Sequence, residues 1–366
     1  MARRYAVKES GGFWGFISML ASLGIVAAAI VLIGVFAFMA EASRQGPSAA
    51  VSTFNVEHGS SAAAIGAALE HAGQIRSAMV FRLATRAYAR NQTLQAGEYE
   101  IPAHASVRDI VGLMASGHAL QHAITFPEGI TVAAAMKLVQ DSEYLTGELP
   151  PAPPEGSILP ETYNVERGMT RAALVQQMRD ERDRALAQIW EGRQPGLPVT
   201  TPDQLVTLAS IVERETGVAS ERPLVAAVFV NRLRRPMRLE SDPTIIYGVC
   251  KQFPDRCRDG RLIDASGHIR VIRQSEIALN TGYNTYRIDG LPPTPIANPG
   301  RSALEATAHP ADSNALFFVA DGSGGHAFAA TVAEHNANVA HWRQIETQRL
   351  AEERAAAAQP AVTTTP

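Results

Sequence analysis

The 366-residue chain lacks the sequence signatures of several large enzyme classes. No Gly-rich loop ends in Gly-Lys-Ser/Thr and no GxGxxG follows a predicted strand, which excludes phosphate loops and dinucleotide sites of those types. The HExxH zinc motif and the GxSxG nucleophile elbow are also missing. The net charge is -3 and no segment carries a dense Lys/Arg stripe, so nucleic acid is not an expected partner.

Metal ligands and cysteines are equally sparse. The ten histidines are scattered, and His118 and His122, four residues apart, have no acidic or cysteine partner at ligand spacing. We therefore predict no metal site and no cofactor. The two cysteines, Cys250 and Cys257, flank a short loop. They are interpreted either as a small disulfide, typical of an oxidising compartment, or as two free thiols.

Charged residues are absent between Glu9 and Glu41. The apolar segment 13–40 would be roughly 40 Å long as a helix, which is enough to cross a bilayer. Three cations within residues 1–12 precede it, so the positive-inside bias predicts a cytoplasmic N-terminus and an exported remainder. A cleaved signal peptide is the alternative, although the apolar region of a signal peptide usually has only about 7–15 residues.

The rest of the chain is predicted to have an α+β fold in two folded parts. Two stretches, beginning at Phe54 and Ile124, have the pattern of a strand, a Gly turn and a capped helix. They are either two copies of one unit or a coincidence. The predicted organisation is a linker at 41–52, a small α+β module at 53–122, a mixed α+β domain at 123–345 and a disordered tail at 346–366.

One predicted helix carries a carboxylate on its apolar side, because positions three and four apart share one face. Desolvation raises the pKa of Glu215, and Gly217, predicted to end the helix, places Glu215 near the negative end of the helix dipole. A carboxyl group protonated near neutral pH can act as a general acid. The alternative is an ordinary surface Glu, and Glu213 is expected to face the other way. The stripe consists of Leu205, Leu208, Ile211, Val212 and Glu215.

Hydrogen-bonding and aromatic residues are concentrated after this helix. Tyr and Asn side chains suit a sugar polymer, which offers hydroxyl and amide groups to bond and apolar ring faces to stack. For each residue alone a structural role is the simpler interpretation, but their concentration beside a desolvated Glu favours carbohydrate binding. The candidate substrate-binding residues are Asn231, Asp242, Thr244, Tyr247, Tyr283, Asn284, Tyr286, Asn298 and His326.

Several long motifs in this part of the chain resemble those of a known family, the endolytic murein transglycosylases or YceG-like proteins. The resemblance covers about residues 54–345, and the module at 53–122 is similar to a LysM-like peptidoglycan-binding unit. The motifs are ASIVERET with ASERPLVAAVFVNRL (Ala209–Leu233), MRLESDPTIIYG (Met237–Gly248), YNTYRIDGLPPTPIANPG (Tyr283–Gly300) and AHPADSNALFFVADGSGGHAF (Ala308–Phe328).

The resemblance implies a single-pass protein of the bacterial inner membrane whose catalytic domain faces the periplasm. Family members cut nascent glycan strands between N-acetylmuramic acid and N-acetylglucosamine without water, leaving a 1,6-anhydromuramic end that terminates the strand. The expected partners are the glycan strand and the peptidoglycan synthases (penicillin-binding proteins).

The family's catalytic acid, the second acid of its V-E-x-E segment, falls on Glu215, which makes Glu213 a bystander and leaves the role of Asp242 open. Two alternatives remain. One is a peptidoglycan hydrolase (muramidase), which needs a second carboxylate. The other is a non-catalytic wall-binding scaffold.

Overall fold

The computed structural model describes residues 12–89 and 92–358. The chain divides into two compact units. The first unit comprises the residues up to 122 together with 166–168, and the second comprises 123–165 and the residues from 169 onward. The architecture is mixed α and β, as predicted, and every sheet among the described residues has two strands.

The first helix, α1 (Gly12–Ala42), contains the charge-free segment. Its span Phe16–Ala42 has a mean hydropathy of 2.7 and no part of its most apolar stretch is buried. This length and composition fit one crossing of a bilayer, although a signal sequence would have the same features. The predicted cytoplasmic segment lies almost wholly in residues 1–11, which are outside the described residues.

The first unit is built around one antiparallel strand pair with helices against it. Strands β1 and β2 pair from Ser52 opposite Ile101 to Val56 opposite Gly97. Phe81, Tyr99 and Met114 are fully buried in its core. Its elements are β1 (Ser52–Val56), α2 (Ala62–His71), α3 (Ala78–Tyr88), β2 (Gly97–Ile101) and α4 (Val107–Ser116).

The second unit is mainly helical and has three strand pairs, β3 with β4, β5 with β6 and β7 with β8. Its first strand begins at the boundary between the units. The elements are β3 (Gln121–Thr125), α5 (Val132–Asp141), β4 (Thr162–Glu166), α6 (Arg171–Gly192), α7 (Pro202–Glu215), α8 (Arg222–Arg234), α9 (Asp242–Gln252), β5 (Cys257–Arg258), β6 (Arg261–Leu262), α10 (Gln274–Ile277), α11 (Arg301–Ala308), β7 (Phe317–Ala320), β8 (His326–Ala329) and α12 (Val332–Ala358).

The two strand–Gly–helix stretches have the same local geometry. Gly59 and Gly129 both adopt positive φ, at 80° and 74°, which a residue with a Cβ rarely does. Ser61 and Thr131 each accept a hydrogen bond from the backbone N–H three residues on, so each caps the following helix. The two turns therefore end their strands and start α2 and α5 in the same way.

Helix α7 lies in the core of the second unit, packed against α6, α8, α9 and α11. Thr201 caps it by accepting from the N–H of Gln204, and Pro202 follows at the first turn. The predicted apolar stripe is confirmed. Leu205, Leu208, Ile211 and Val212 have no exposed surface.

The structure differs from the prediction at two ends. Helix α7 ends at Glu215, which therefore lies at the C-terminal end of the helix as predicted, but Thr216 turns into extended backbone and Gly217 does not take the left-handed conformation of a glycine cap. The tail predicted to be disordered from residue 346 is helical up to Ala358 as the end of α12. Its Ala- and Glu-rich composition favours helix as much as disorder. Residues 359–366 lie outside the described residues.

The end of α9 is tied to the β5–β6 hairpin by a disulfide between Cys250 and Cys257, seven residues apart. Ile245, Val249 and Leu262 form a small buried cluster beside it. Because this cluster is small, the covalent link is a large part of what holds the hairpin to α9.

Replacing Cys250 and Cys257 by serine should lower the free energy of unfolding by about 2–3 kcal/mol, the loop-closure value for a loop of this length. Chemical denaturation of the variant and of wild type, each with and without a reductant, tests this. Reduced wild type should match the variant, and unchanged unfolding in both would contradict the prediction.

Candidate functional site

Glu215 is the last residue of α7, and its side chain is only partly exposed. Among the described residues, no Lys, Arg or His nitrogen lies within 4 Å of its carboxylate. Burial, reinforced by the negative charge of Asp242, raises the pKa of Glu215 to about 7. The acid is therefore partly protonated at neutral pH and can be reached from solvent.

Ser241 donates a 2.5 Å hydrogen bond from its hydroxyl to Oε1 of Glu215. Ser241 is itself buried, and its N–H donates to the hydroxyl of Thr285 at 2.9 Å. Glu240 precedes it with φ of +51°, in the left-handed region that a non-glycine residue rarely occupies. The chain is thus held in an unfavourable conformation at the point where it presents Ser241 to Glu215.

Asp242 begins α9 directly after Ser241, and its side chain is exposed. The hydroxyl of Tyr286 donates to Oδ1 of Asp242 at 2.8 Å. Burial and the Asp242 carboxylate raise the pKa of Tyr286, so Tyr286 stays a hydrogen-bond donor. Asp242 and Tyr286 form an oriented acid–hydroxyl pair next to Glu215.

His326, at the start of β8, is fixed on the other flank by Glu221. The two oxygens of Glu221 contact the backbone N–H and the ring Nδ1 of His326 at 2.8 and 2.7 Å. Burial by itself would raise the pKa of Glu221, but these hydrogen bonds outweigh it and the pKa is lowered. Glu221 also accepts from the hydroxyl of Thr216, which links this pair to the end of α7.

Glu213, two residues before Glu215, is even more buried but has a cation. It lies 2.7 Å from Arg222 and accepts the N–H of Gly300 at 2.9 Å. Arg222 also pairs with Glu128 and bonds Ser302. Glu213 does face away from Glu215, but it is a buried structural contact that joins α7, α8 and the start of α11.

Five of the predicted binding residues make hydrogen bonds within the protein, and their contact with substrate stays a prediction. Their donors and acceptors hold loops, as for Asn231, whose amide donates to two backbone carbonyls, and Asn298, whose amide donates to Glu155. Asn284, Asn298 and Thr244 have no exposed surface. The five are Asn231, Thr244, Tyr283, Asn284 and Asn298.

Comparison of the chain with known proteins shows which family it belongs to. A family model described as the YceG-like family matches residues 54–341. The chain belongs to the YceG-like family.

Two named relatives and one solved structure are similar to this YceG-like protein. A Streptococcus pneumoniae (strain D39) protein named endolytic murein transglycosylase is 26% identical over 332 residues, covering 79% of this chain and 58% of its own length. A Bacillus subtilis (strain 168) protein of the same name is 26% identical over 314 residues, covering 77% and 82%. The crystal structure of a putative yceG-like protein from Listeria monocytogenes, with 26% identity and a TM-score of 0.45, is matched over 78% of this chain and 98% of its own.

The YceG-like chain spans little more than half the length of the pneumococcal relative that it matches. Among its described residues, no group of three or more His, Cys, Asp or Glu side chains is arranged to hold a metal ion. The polar groups near Glu215 include the Ser241 and Tyr286 hydroxyls, the Asp242 carboxylate and the His326 imidazole.

Three residues with clear roles escaped the sequence-based prediction. Ser241 and Arg232 lie within the quoted motifs, but a motif does not say which of its polar residues meet. Arg232 is buried and donates to the carbonyls of Leu239 and Leu316 and to Glu240, so it ties the loop before Ser241 to the residue that precedes β7. Burial raises the pKa of the third residue, Glu155, to about 7, and no local pattern marked it.

Tyr247 does not belong to the Glu215 cluster, which consists of Glu215, Ser241, Asp242, Tyr286, Glu221 and His326. It lines a cavity of about 520 Å³ that includes Glu155, Arg214 and Pro243 but neither Glu215 nor Asp242. Arg214 and Pro243 are the chain neighbours of those two acids, so the cavity lies next to the Glu215 cluster in the second unit.

Replacing the two acids of α7 one at a time should change the free energy of unfolding in opposite directions at pH 8. Burial raises the pKa of Glu213 as well, so the sign of its effect comes from Arg222. Glu213→Gln should lower the free energy of unfolding by about 3 kcal/mol, because the buried Arg222 loses one of its two carboxylates and keeps only Glu128. Glu215→Gln should raise stability at pH 8 and leave it unchanged at pH 4.

The sign for Glu215 follows from its raised pKa. The folded chain keeps a proton that the unfolded chain loses near pH 4.5, so wild-type stability falls between pH 4.5 and about 7. The stability of both variants relative to wild type is measured by their thermal unfolding midpoints at pH 4 and at pH 8. Equal destabilisation by the two substitutions at pH 8 would contradict the assignment.

Proposed function

We propose that the protein is an endolytic peptidoglycan lytic transglycosylase, cleaving the bond between N-acetylmuramic acid and N-acetylglucosamine in nascent strands. The observation that carries the proposal is Glu215, a partly exposed carboxyl group with a pKa of about 7 that Ser241 holds beside Asp242, with no cationic partner within 4 Å in the described part of the chain. The name endolytic murein transglycosylase, given to relatives from two bacteria, supports the choice of reaction.

The proposed reaction uses Glu215 twice. The protonated carboxyl first gives its proton to the glycosidic oxygen as the bond from that oxygen to C1 of muramic acid breaks. The resulting carboxylate then takes the proton of the C6 hydroxyl of the same muramic residue, whose oxygen bonds to C1. The products are a free N-acetylglucosamine hydroxyl and a 1,6-anhydromuramic end, and Glu215 is protonated again.

A pKa near 7 suits both halves of this cycle, because the group must give up a proton and regain one at neutral pH. Ser241 holds the carboxyl group in one orientation through its hydrogen bond to Oε1. Asp242 is proposed to stabilise positive charge that develops at C1, since it is exposed and oriented by Tyr286. Tyr286, His326 and Tyr247 are proposed to contact the glycan.

The setting of the reaction is also a proposal. The apolar helix α1 supports a single-pass anchor in the inner membrane, with the N-terminus in the cytoplasm and the residues after α1 in the periplasm. The first unit has its own core and is proposed to act as a LysM-like peptidoglycan-binding module. The enzyme would end strand elongation beside the peptidoglycan synthases (penicillin-binding proteins).

A muramidase is the second candidate, and the exposed carboxylate of Asp242 beside Glu215 is the observation that favours it. Hydrolysis needs a second carboxylate to activate water or form a glycosyl intermediate, and Asp242 could fill that place. A non-catalytic wall-binding scaffold is the third candidate function, and in a scaffold the raised pKa of Glu215 would not serve catalysis.

Glu215→Gln should lower strand cleavage by about 100-fold or more, because Gln cannot donate the proton. The matched control is Glu191→Gln, at an exposed Glu near the end of α6, which should cleave like wild type. Mass spectrometry of the products identifies the reaction. Anhydromuramic ends support the lyase, reducing muramic ends the muramidase, and no cleavage by wild type the scaffold. Activity that survives Glu215→Gln would refute the role of Glu215.

Wild-type kcat/KM should fall above about pH 7, because the free enzyme must carry the proton on Glu215. Asp242→Asn should move this fall to lower pH, since it removes a negative charge that disfavours ionisation of Glu215. Asp180→Asn, on the exposed side of α6, is the control and should leave the profile in place. A profile that stays fixed, or shifts to higher pH, in Asp242→Asn would contradict the coupling of the two acids.

A further inference from the structure

The cavity next to the Glu215 cluster has a wall that the proposed chemistry does not use. Its lining includes residues 127–131, Ala133 and Ala134, together with Arg214 of α7. Residues of α9 and of the disulfide-linked hairpin also line it, among them Lys251, Asp259 and Arg261. All of these residues belong to the second unit, and the cavity encloses about 520 Å³. This volume is within the range of small-molecule sites.

The cavity brings three cations together. Arg214 and Arg261 both line the cavity, and burial together with the charge of Arg261 lowers the pKa of the Arg214 guanidinium. Among the described residues, neither has a carboxylate oxygen within 4 Å. Lys251 donates to the hydroxyl of Tyr283 and lies 4.9 Å from the centre of its ring. An anion between the arginines would relieve their repulsion.

The acids of the cavity do not remove this preference. Glu128 is 2.8 Å from Arg222. Glu155 accepts the N–H of Val132 and the amide of Asn298, and burial raises its pKa to about 7, so much of it is neutral. Asp259 is exposed at the tip of the hairpin. Two acids are therefore partnered within the protein, while the two arginines have no carboxylate partner.

The remaining wall of the cavity is formed by aliphatic side chains of small to medium size. Ile130, Ala133, Ala134, Ile246 and Ile296 line it. A bare phosphate would use the cations but leave this surface uncovered, whereas a short peptide with small side chains and a free carboxylate would use both. The combination of an apolar wall and paired arginines favours a carboxylate-bearing peptide.

We propose that this cavity binds a carboxylate of the peptide substituent carried by the glycan strand, so that the enzyme recognises peptide-bearing strands. The proposal rests on the proposed function. Arg214 and Arg261 bind the carboxylate, and the apolar wall covers the peptide beside it. The Cys250–Cys257 disulfide holds the hairpin that carries Arg261 against α9.

The hairpin supplies a matched pair of variants. Arg258 stands directly opposite Arg261 in the β5–β6 register, and both are exposed. Only Arg261 lines the cavity. Arg261→Glu and Arg258→Glu therefore make the same charge change on the same hairpin, once inside the proposed subsite and once outside it.

The experiment uses the full-length, detergent-solubilised chain and two substrates, peptide-bearing glycan strands and the same strands stripped of peptide by an amidase. For wild type and Arg258→Glu, kcat/KM should be at least about tenfold higher on the peptide-bearing strands, the usual scale of one charge-assisted contact. For Arg261→Glu this ratio should fall to about one, and Arg261→Lys should restore part of it. Unfolding midpoints of all variants exclude a general loss of folding.

Three results would overturn the proposal. They are a wild-type ratio near one, a ratio unchanged in Arg261→Glu, and equal loss of the ratio in Arg258→Glu. Wild type that cleaves both substrates equally would reject the subsite and leave the proposed function intact. Wild type that cleaves neither would reject the proposed function itself, and the subsite with it.

Discussion

A carboxylate that leaves water must be paired with a cation or become neutral, and α7 contains one acid of each kind. Glu213 is buried against Arg222, and this pair fixes α7 to α8 and to the backbone of Gly300. Burial raises the pKa of both acids, but Arg222 opposes the rise at Glu213, whereas Glu215 is held by a serine hydroxyl without a cation and its pKa reaches about 7. The same helix thus supplies both a rigid attachment and a group that can exchange protons near neutral pH.

The surrounding structure serves to keep Ser241 and Asp242 beside Glu215. Arg232 bonds the carbonyl of Leu239 and the carboxylate of Glu240, and Thr285 accepts the N–H of Ser241. These contacts stabilise a backbone that enters the left-handed region at Glu240, a conformation that costs about 1 kcal/mol or more by itself. Many of the conspicuous polar residues of this region therefore act on the protein's own loops.

The sequence was sufficient to predict features that depend on neighbouring residues, such as helix periodicity, helix caps and long apolar segments. The periodic stripe and the Thr201 cap predicted α7 and the burial of its face, and the charge-free segment predicted α1. The sequence could not show that Glu213 forms an ion pair with Arg222, nine residues later. It also could not show that the side-chain amides of Asn284 and Asn298 donate hydrogen bonds within the protein, because contacts outside the local sequence pattern determine both features. Glu155 was missed for the same reason, since the residues that bury it come from distant segments.

The most direct test of this account is a titration of Glu215 itself in the full-length protein. Isotope-edited infrared spectroscopy, with Glu215→Gln as the reference that removes the signal, follows the carboxyl band of this one residue as pH is varied. We predict that Glu215 is half-protonated at about pH 7. Ionisation near pH 4.5, the ordinary value for Glu, would mean that the group is solvated, and both the paired-versus-neutral contrast on α7 and the proposed chemistry would fail.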